Sequence, residues 1–343
     1  MKCKLFGIFF LLFVHISGVA QDIHRFHFNE NNPDVHDPVM ARGEDGRYYV
    51  FSTGMGIGVM SSADMKTWKR EKPVFDHAPQ WAVDSVKGFR GHIWAPDISR
   101  HGDKWYLYYS CSTFGKNGSA IGVATNSTLD PQSPHYKWED QGVVIVSHKR
   151  QDNWNAIDPA LMPNSESPLL TYGSFWDGIQ MARLDHTMHL ATAPKTIARR
   201  VALRDTSKTE PNPTSRYAGR NAIEAPFIFR HGDWYYLLVS WDYCCRGAKS
   251  NYHVVVGRSK AVSGPYLDRN GRDMVQGGGT LLIEGDKQEF EAAGHCAAYN
   301  MNGEDIFICH GYATKQNGAA LLVQRQITWT DDGWPVLAKV ANQ

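Results

Sequence analysis

Gly232-Asp-Trp-Tyr-Tyr-Leu-Leu-Val239 reads as one β-strand: aromatic and branched side chains follow a Gly-Asp turn, and no 3.6-residue period organises them. Four more copies of the pattern occur, at Gly46-Arg-Tyr-Tyr-Val-Phe-Ser-Thr53, Asp103-Lys-Trp-Tyr-Leu-Tyr-Tyr-Ser110, Ser167-Pro-Leu-Leu-Thr-Tyr-Gly-Ser174 and Glu304-Asp-Ile-Phe-Ile-Cys-His-Gly311. Their starts lie 57, 64, 65 and 72 residues apart. Each copy follows a short apolar strand (Pro38–Ala41, Ala95–Ile98, Pro159–Met162, Ala225–Phe229, His295–Ala298) and precedes an alternating one (Ile57–Met60, Ala120–Ala124, Gly178–Ala182, His253–Gly257, Ala320–Gln324). Five units of three or four strands, each bounded by turn residues, predict an all-β, five-bladed β-propeller. A sandwich or a parallel β-helix is the alternative. Unequal units with long connections suit a β-helix poorly, and about fifteen to twenty strands exceed one sandwich. Because a propeller closes by joining its ends, residues soon after Gln21 and those around Val336–Ala341 are expected to complete one blade together.

Outside the repeat, Lys2 and Lys4 precede an apolar run from Leu5 to Val14, and Gly18-Val19-Ala20 supplies small residues before Gln21. That is the pattern of a cleaved export signal over residues 1–20, leaving 21–343 as a single propeller domain in the periplasm or outside the cell. No later run reaches the length of a membrane span. The 343 residues carry 36 Lys and Arg against 35 Asp and Glu, a net charge of +1, so no broad field draws the chain to nucleic acid. A monomer is expected. After the leader five cysteines remain, an odd set without metal spacing, and a disulfide framework is not expected. A bridge between the adjacent Cys244 and Cys245 would be strained, so both are read as buried thiols. Ser62-Ala-Asp-Met-Lys-Thr-Trp68 is read as a turn at a blade edge.

The innermost strand of each blade lines the axis, so side chains at its start converge. Blade by blade these are Asp37, Asp97 or its neighbour Trp94, Asp158, Glu224 and His295. Asp37 and Glu224 each stand eleven residues before a tyrosine of the aromatic strand, Tyr48 and Tyr235. A single Asp-Pro pair is an ordinary turn, but three carboxylates and an imidazole in comparable places are costly unless used. Paired carboxylates of unlike proton affinity are what glycoside hydrolysis needs. A propeller that only binds glycans is the rival of another class, and it has no need of a matched acid and base.

His36-Asp-Pro38, His92-Ile-Trp-Ala-Pro-Asp97, Asn155-Ala-Ile-Asp-Pro159, Asn221-Ala-Ile-Glu-Ala-Pro226 and Trp241-Asp-Tyr-Cys-Cys-Arg-Gly247, in that order, resemble glycoside hydrolase family 43, specifically its endo-α-1,5-L-arabinanases. The resemblance runs from about Asp34 to Tyr312. It implies hydrolysis of internal α-1,5 bonds in arabinan with inversion; an exo-acting α-L-arabinofuranosidase or β-xylosidase of the same family is the alternative. Carried over, Asp37 is the general base, Glu224 the general acid, and Asp158 orients Glu224 and raises its pKa. An inverting pair stands about 6.5–9.5 Å apart. His295 matches the family histidine associated with a largely water-coordinated calcium ion. Substrate contacts are expected from Asp37, Trp94, Phe114, Gly115, Asn155, Ala156, Ile157, Asp158, Ser174, Phe175 and Trp176.

Overall fold

A computed structural model describes residues 28–163, 168–191, 199–206 and 221–339. The expected export signal lies outside them. Each predicted triplet of strands forms an antiparallel sheet, and a fourth strand completes it on the outer edge.

Blade I holds β1 (Val39–Arg42), β2 (Tyr48–Ser52), β4 (Gly58–Ser62) and β5 (Lys69–Arg70); the two-residue β3 (Gly54–Met55) pairs instead with the next blade. Blade II is β6 (His92–His101), β7 (Lys104–Cys111), β8 (Ser119–Asn126) and β9 (Glu139–Ser147). Blade III is β10 (Ala160–Met162), β11 (Leu169–Tyr172), β12 (Ile179–Arg183) and β13 (Arg199–Ala202). Blade IV is β14 (Ile223–His231), β15 (Trp234–Trp241), β16 (His253–Ser259) and β17 (Thr280–Ile283). Blade V is β18 (Phe290–Met301), β19 (Glu304–Ala313), β20 (Ala319–Trp329) and β21 (Pro335–Lys339). The inner strands pack in a ring: β1 on β6, β6 on β10, β10 on β14, β14 on β18, and β18 back on β1. A sheet buried on both faces reads as a continuous apolar run, which is why the second strand of every blade is so rich in aromatics. Tyr49, Phe51, Tyr108, Tyr109, Tyr172, Tyr236 and Phe307 from these strands are almost fully buried between blades.

The first and last described stretches of the chain meet on β20. The Val35 N–H donates to the Ala320 carbonyl at 3.0 Å and the Leu322 N–H to the Pro33 carbonyl at 3.1 Å, while Val336 and Leu337 of β21 pair with Thr328 and Ile327. Blade V is therefore finished from both sides of the sequence, as the closure rule requires, by Pro33–Val35 and by β21. Turn chemistry fixes the hairpins; Asn302 and Gly303, both at positive φ, make the two-residue link from β18 to β19. Ser62–Trp68 is the turn between β4 and β5, where Asp64 accepts from the N–H groups of Lys66 and Thr67 and Trp68 is buried. The only α-helix among the described residues is the single turn Gln80–Ser85, and none is long and apolar enough to cross a membrane.

Candidate active site

One backbone feature recurs five times, on the inner strand or just ahead of it. Asp37, Ala95, Asp158, Ala225 and His295 all have φ between 43° and 55°, a region that a residue with a Cβ enters only when its surroundings hold it there. In each case the strained residue's N–H is held by a side chain of the preceding blade. Ala95 donates to Thr53 Oγ1 (2.8 Å), Asp158 to Ser110 Oγ (2.9 Å), Ala225 to Asp158 Oδ2 (3.1 Å), His295 to Ser240 Oγ (2.8 Å) and Asp37 to His310 Nδ1 (3.1 Å). These five bonds run once round the axis, and strand irregularities after Trp94, Glu224 and Gly294 mark the same places in blades II, IV and V.

The repeat corrects one expectation. Arg42 pairs with Tyr48 and Arg230 with Tyr235, and Asp37 lies five residues before Arg42 whereas Glu224 lies six before Arg230. The equal eleven-residue spacings hide a longer β1–β2 turn. The true counterpart of Asp37 in blade IV is Ala225; Glu224 shares its place with Trp94 and His36, one residue earlier. In blade III, Ser174 stands where Thr53, Ser110, Ser240 and His310 stand in the others, yet its Oγ donates to Glu224 Oε2 at 2.8 Å, and Asp158 takes over the inter-blade bond.

Asp37, Asp158, Glu224 and His295 keep 8, 6, 9 and 8% of their surface exposed. Asp37 is ringed by imidazoles: its Oδ1 is 2.9 Å from His36 Nδ1, 3.1 Å from His295 Nδ1 and 3.7 Å from His310 Nδ1, and its Oδ2 accepts from Thr53 Oγ1 at 2.5 Å. Burial would push the Asp37 carboxyl up, but His36 and His295 outweigh it and hold it well below the usual carboxylate range. Burial likewise opposes the charge on His295 and His36, and the Asp37 carboxylate prevails, moving His295 up to about 9 and His36 well above the usual imidazole range. His310 is driven the other way, by its complete burial and then by His36, so it stays neutral and accepts the Asp37 N–H.

Glu224 meets hydroxyls. Ser174 Oγ and Tyr252 OH each donate to its carboxylate at 2.8 Å. Asp158 sits between the two regions; burial raises its carboxyl well above the usual range, Glu224 and Asp37 add to the rise, and His295 opposes it. Asp97 is buried beneath them, accepts the Leu161 N–H at 2.8 Å, and is pushed up to about 7 by burial.

The remaining expected contacts divide by exposure. Phe114 is 73% exposed on the β7–β8 loop, and a Cβ on the neighbouring Gly115 would meet nothing within 4 Å. Trp94 is half-buried, its Nε1 donating to His92 Nδ1, and the Phe175 ring leans on Tyr243 at 5.8 Å. Asn155 is buried with Oδ1 accepting from Ser119 Oγ (2.7 Å), and Ile157 and Ser174 are buried beside it in the chain fold. Ala156 and Trp176, at 0 and 4% exposure, offer a sugar little surface. Residues absent from the expected set are His36, Thr53, Tyr252, His310 and Tyr312. Thr53 and His310 carried a signal, since they take one equivalent position in two of the five aromatic repeats; Tyr252 carried none.

Calcium asks for six to eight oxygen donors. His295 Nδ1 faces Asp37, so the ring has one nitrogen left for an ion, and water would have to fill nearly the whole shell. The one group among the described residues whose ligand atoms lie within 4.8 Å of each other is His36, Asp37 and His310, a nitrogen-rich set unlike a calcium cage. The cysteines also depart from expectation: Cys111, Cys296 and Cys309 are buried thiols, but Cys244 is half-buried and Cys245 exposed.

A five-bladed ring with three buried carboxylates at its axis is the architecture of a propeller glycosidase, and the family model of glycosyl hydrolases family 43 matches residues 31–335. The chain belongs to that family. It is 47% identical over 308 residues to the extracellular exo-α-(1→5)-L-arabinofuranosidase ArbA of Cellvibrio japonicus, covering 88% of this chain and 86% of that one. It is 37% identical over 311 residues to the extracellular endo-α-(1→5)-L-arabinanase 1 of Bacillus subtilis, covering 89 and 88%. Among solved structures, the exo-1,5-α-L-arabinanase from a bovine ruminal metagenomic library superimposes with a TM-score of 0.85 at 54% identity, over 92% of this chain and all of that one.

Proposed function

We propose that this glycoside hydrolase cleaves α-1,5-L-arabinofuranosyl bonds of arabinan by single displacement with inversion. The observation that carries the reading is the opposed surroundings of Asp37 and Glu224. Asp37, held ionised by two protonated imidazoles, is suited to take a proton from water as that water attacks the anomeric carbon. Glu224 is oriented by the Ser174 and Tyr252 hydroxyls and gives its proton to the departing sugar oxygen. Asp158 is a positioning residue: it fixes the Ala225 N–H, and with it the backbone that carries Glu224. Trp94, Phe114 and Phe175 supply faces on which furanose rings stack. A largely hydrated calcium ion at His295 belongs to the reading: the imidazole would take it on Nε2 only by giving up the proton there, and the ion would then supply the positive charge beside the carboxylates.

The sequence motifs point to internal cleavage, but the two exo-named relatives described above, at 54 and 47% identity, are more similar than the endo-named Bacillus subtilis enzyme at 37%. We therefore favour attack from a chain end, with internal cleavage as the second reading. Export fits the extracellular relatives. Digestion of linear arabinan, with products separated over time and their anomeric configuration followed by proton NMR, tests both points. One short product from the outset means exo and a spread of lengths means endo; a first-formed product that retains configuration would overturn the assignment of Asp37 as base.

A further inference from the structure

Cys244 and Cys245 lie in the loop between β15 and β16, and hydrolysis has no use for either thiol. Cys245 is exposed, and its Sγ stands 3.8 Å from Nε2 of His36, the imidazole that grips Asp37. Its backbone is pinned: the Cys245 N–H donates to Tyr312 OH at 2.7 Å, Tyr312 OH is also 2.9 Å from His36 Nε2, and the residue sits at φ 62°. Cys244, its neighbour in the chain, is half-buried. An exposed sulfur within reach of an imidazolium is the setting of a nucleophilic thiol.

We propose that Cys245 is a thiol–disulfide exchange site at the mouth of the catalytic centre, taking up low-molecular-weight disulfides of the glutathione class. The Cys245 thiolate attacks one sulfur of the disulfide RSSR, forming Cys245–S–S–R; the other half leaves as RS⁻ and takes a proton from water, and no further oxidant is consumed. The group attached to Cys245 then lies against His36, where it obstructs the approach to Asp37. Hydrogen bonding from Cys244, although burial opposes it, lowers the Cys245 thiol to about 6, and His36 adds to the fall, so exchange proceeds at neutral pH. Cys244 itself is held well above the usual thiol range by the same contact and by burial, and keeps its proton. The block on hydrolysis rests on the active-site reading above; the exchange chemistry does not.

The test is incubation of the full chain with oxidised glutathione at pH 7, followed by peptide mapping and by arabinan hydrolysis relative to each sample's untreated rate. The expected result is one glutathione per chain, on Cys245, with most of the hydrolysis lost and restored by dithiothreitol. Cys245→Ser is expected to take up none and to retain its own untreated rate, whereas Cys111→Ser responds like the parent. Modification that appears only after denaturation, or falls on another cysteine, overturns the exchange site. Full occupancy of Cys245 without loss of hydrolysis overturns the obstruction. A chain inactive on arabinan before treatment refutes the proposed function alone, because mass still reports the exchange.

Discussion

Asp37 and Glu224 flank the same buried aspartate, Asp158, yet their immediate surroundings differ in charge. On the blade I side imidazoles, two of them protonated, join the Thr53 hydroxyl; on the blade IV side the partners are the neutral hydroxyls of Ser174 and Tyr252. The difference teaches that a fold of near-equivalent blades can separate a base from an acid without unlike carboxyl chemistry. Cations fix one carboxylate in its ionised form, while neutral donors orient the other without adding charge.

Removing either end member has the largest expected effect. Glu224→Gln and Asp37→Asn should each lower kcat on arabinan by about 10²–10⁴, the usual worth of a general acid or base. The comparison is sharpened by an aryl arabinofuranoside whose phenol leaves without protonation. Glu224→Gln should recover much of its rate on that substrate and Asp37→Asn none; equal recovery would break the assignment. Next in size is Tyr252→Phe, which takes one hydroxyl from Glu224 and should cost roughly tenfold in kcat/KM, in line with about 1.5 kcal/mol for a hydrogen bond to the carboxylate that Glu224 becomes as it gives up its proton. That loss should vanish in a Glu224→Gln background if the hydroxyl acts only through Glu224.

The smallest effect concerns stability. Asp97 is raised to about 7 by burial, so the folded state holds its proton more tightly than the unfolded state does. For such a group stability falls as pH rises from the ordinary aspartate value, about 3.9, through about 7. Asp97→Asn keeps an acceptor for the Leu161 N–H and removes the titration. Thermal unfolding should show the variant level with the parent near pH 4 and more stable at pH 8; an unchanged difference between the two would mean that Asp97 does not titrate in this range.

The blades were legible because their second strands bury aromatic residues on both faces, which leaves an uninterrupted apolar word at a long period. Asp37, Asp158, Glu224 and His295 were legible for the same reason, as neighbours of that word. What sequence could not carry was the offset of one residue at Glu224, since the longer turn after Arg42 compensates the irregularity after Glu224 and makes two unlike counts equal. Tyr252 lies just ahead of β16, outside the repeated strand pattern, and its contact with Glu224 is made only in the fold. The exposure of Cys245 was also beyond reach, because an adjacent thiol pair reads as apolar until the loop that bears it is folded.

The segment that shuts the ring also delivers the proposed base. Pro33–Val35 lies on β20 two residues ahead of Asp37, and Asp37 is itself tethered to His310 of blade V. The clasp between the first and last blades is thus wired to the catalytic end of the molecule: a lesion that loosens it, such as trimming the chain to begin at Asp37, should silence turnover while the four other inter-blade seams still hold.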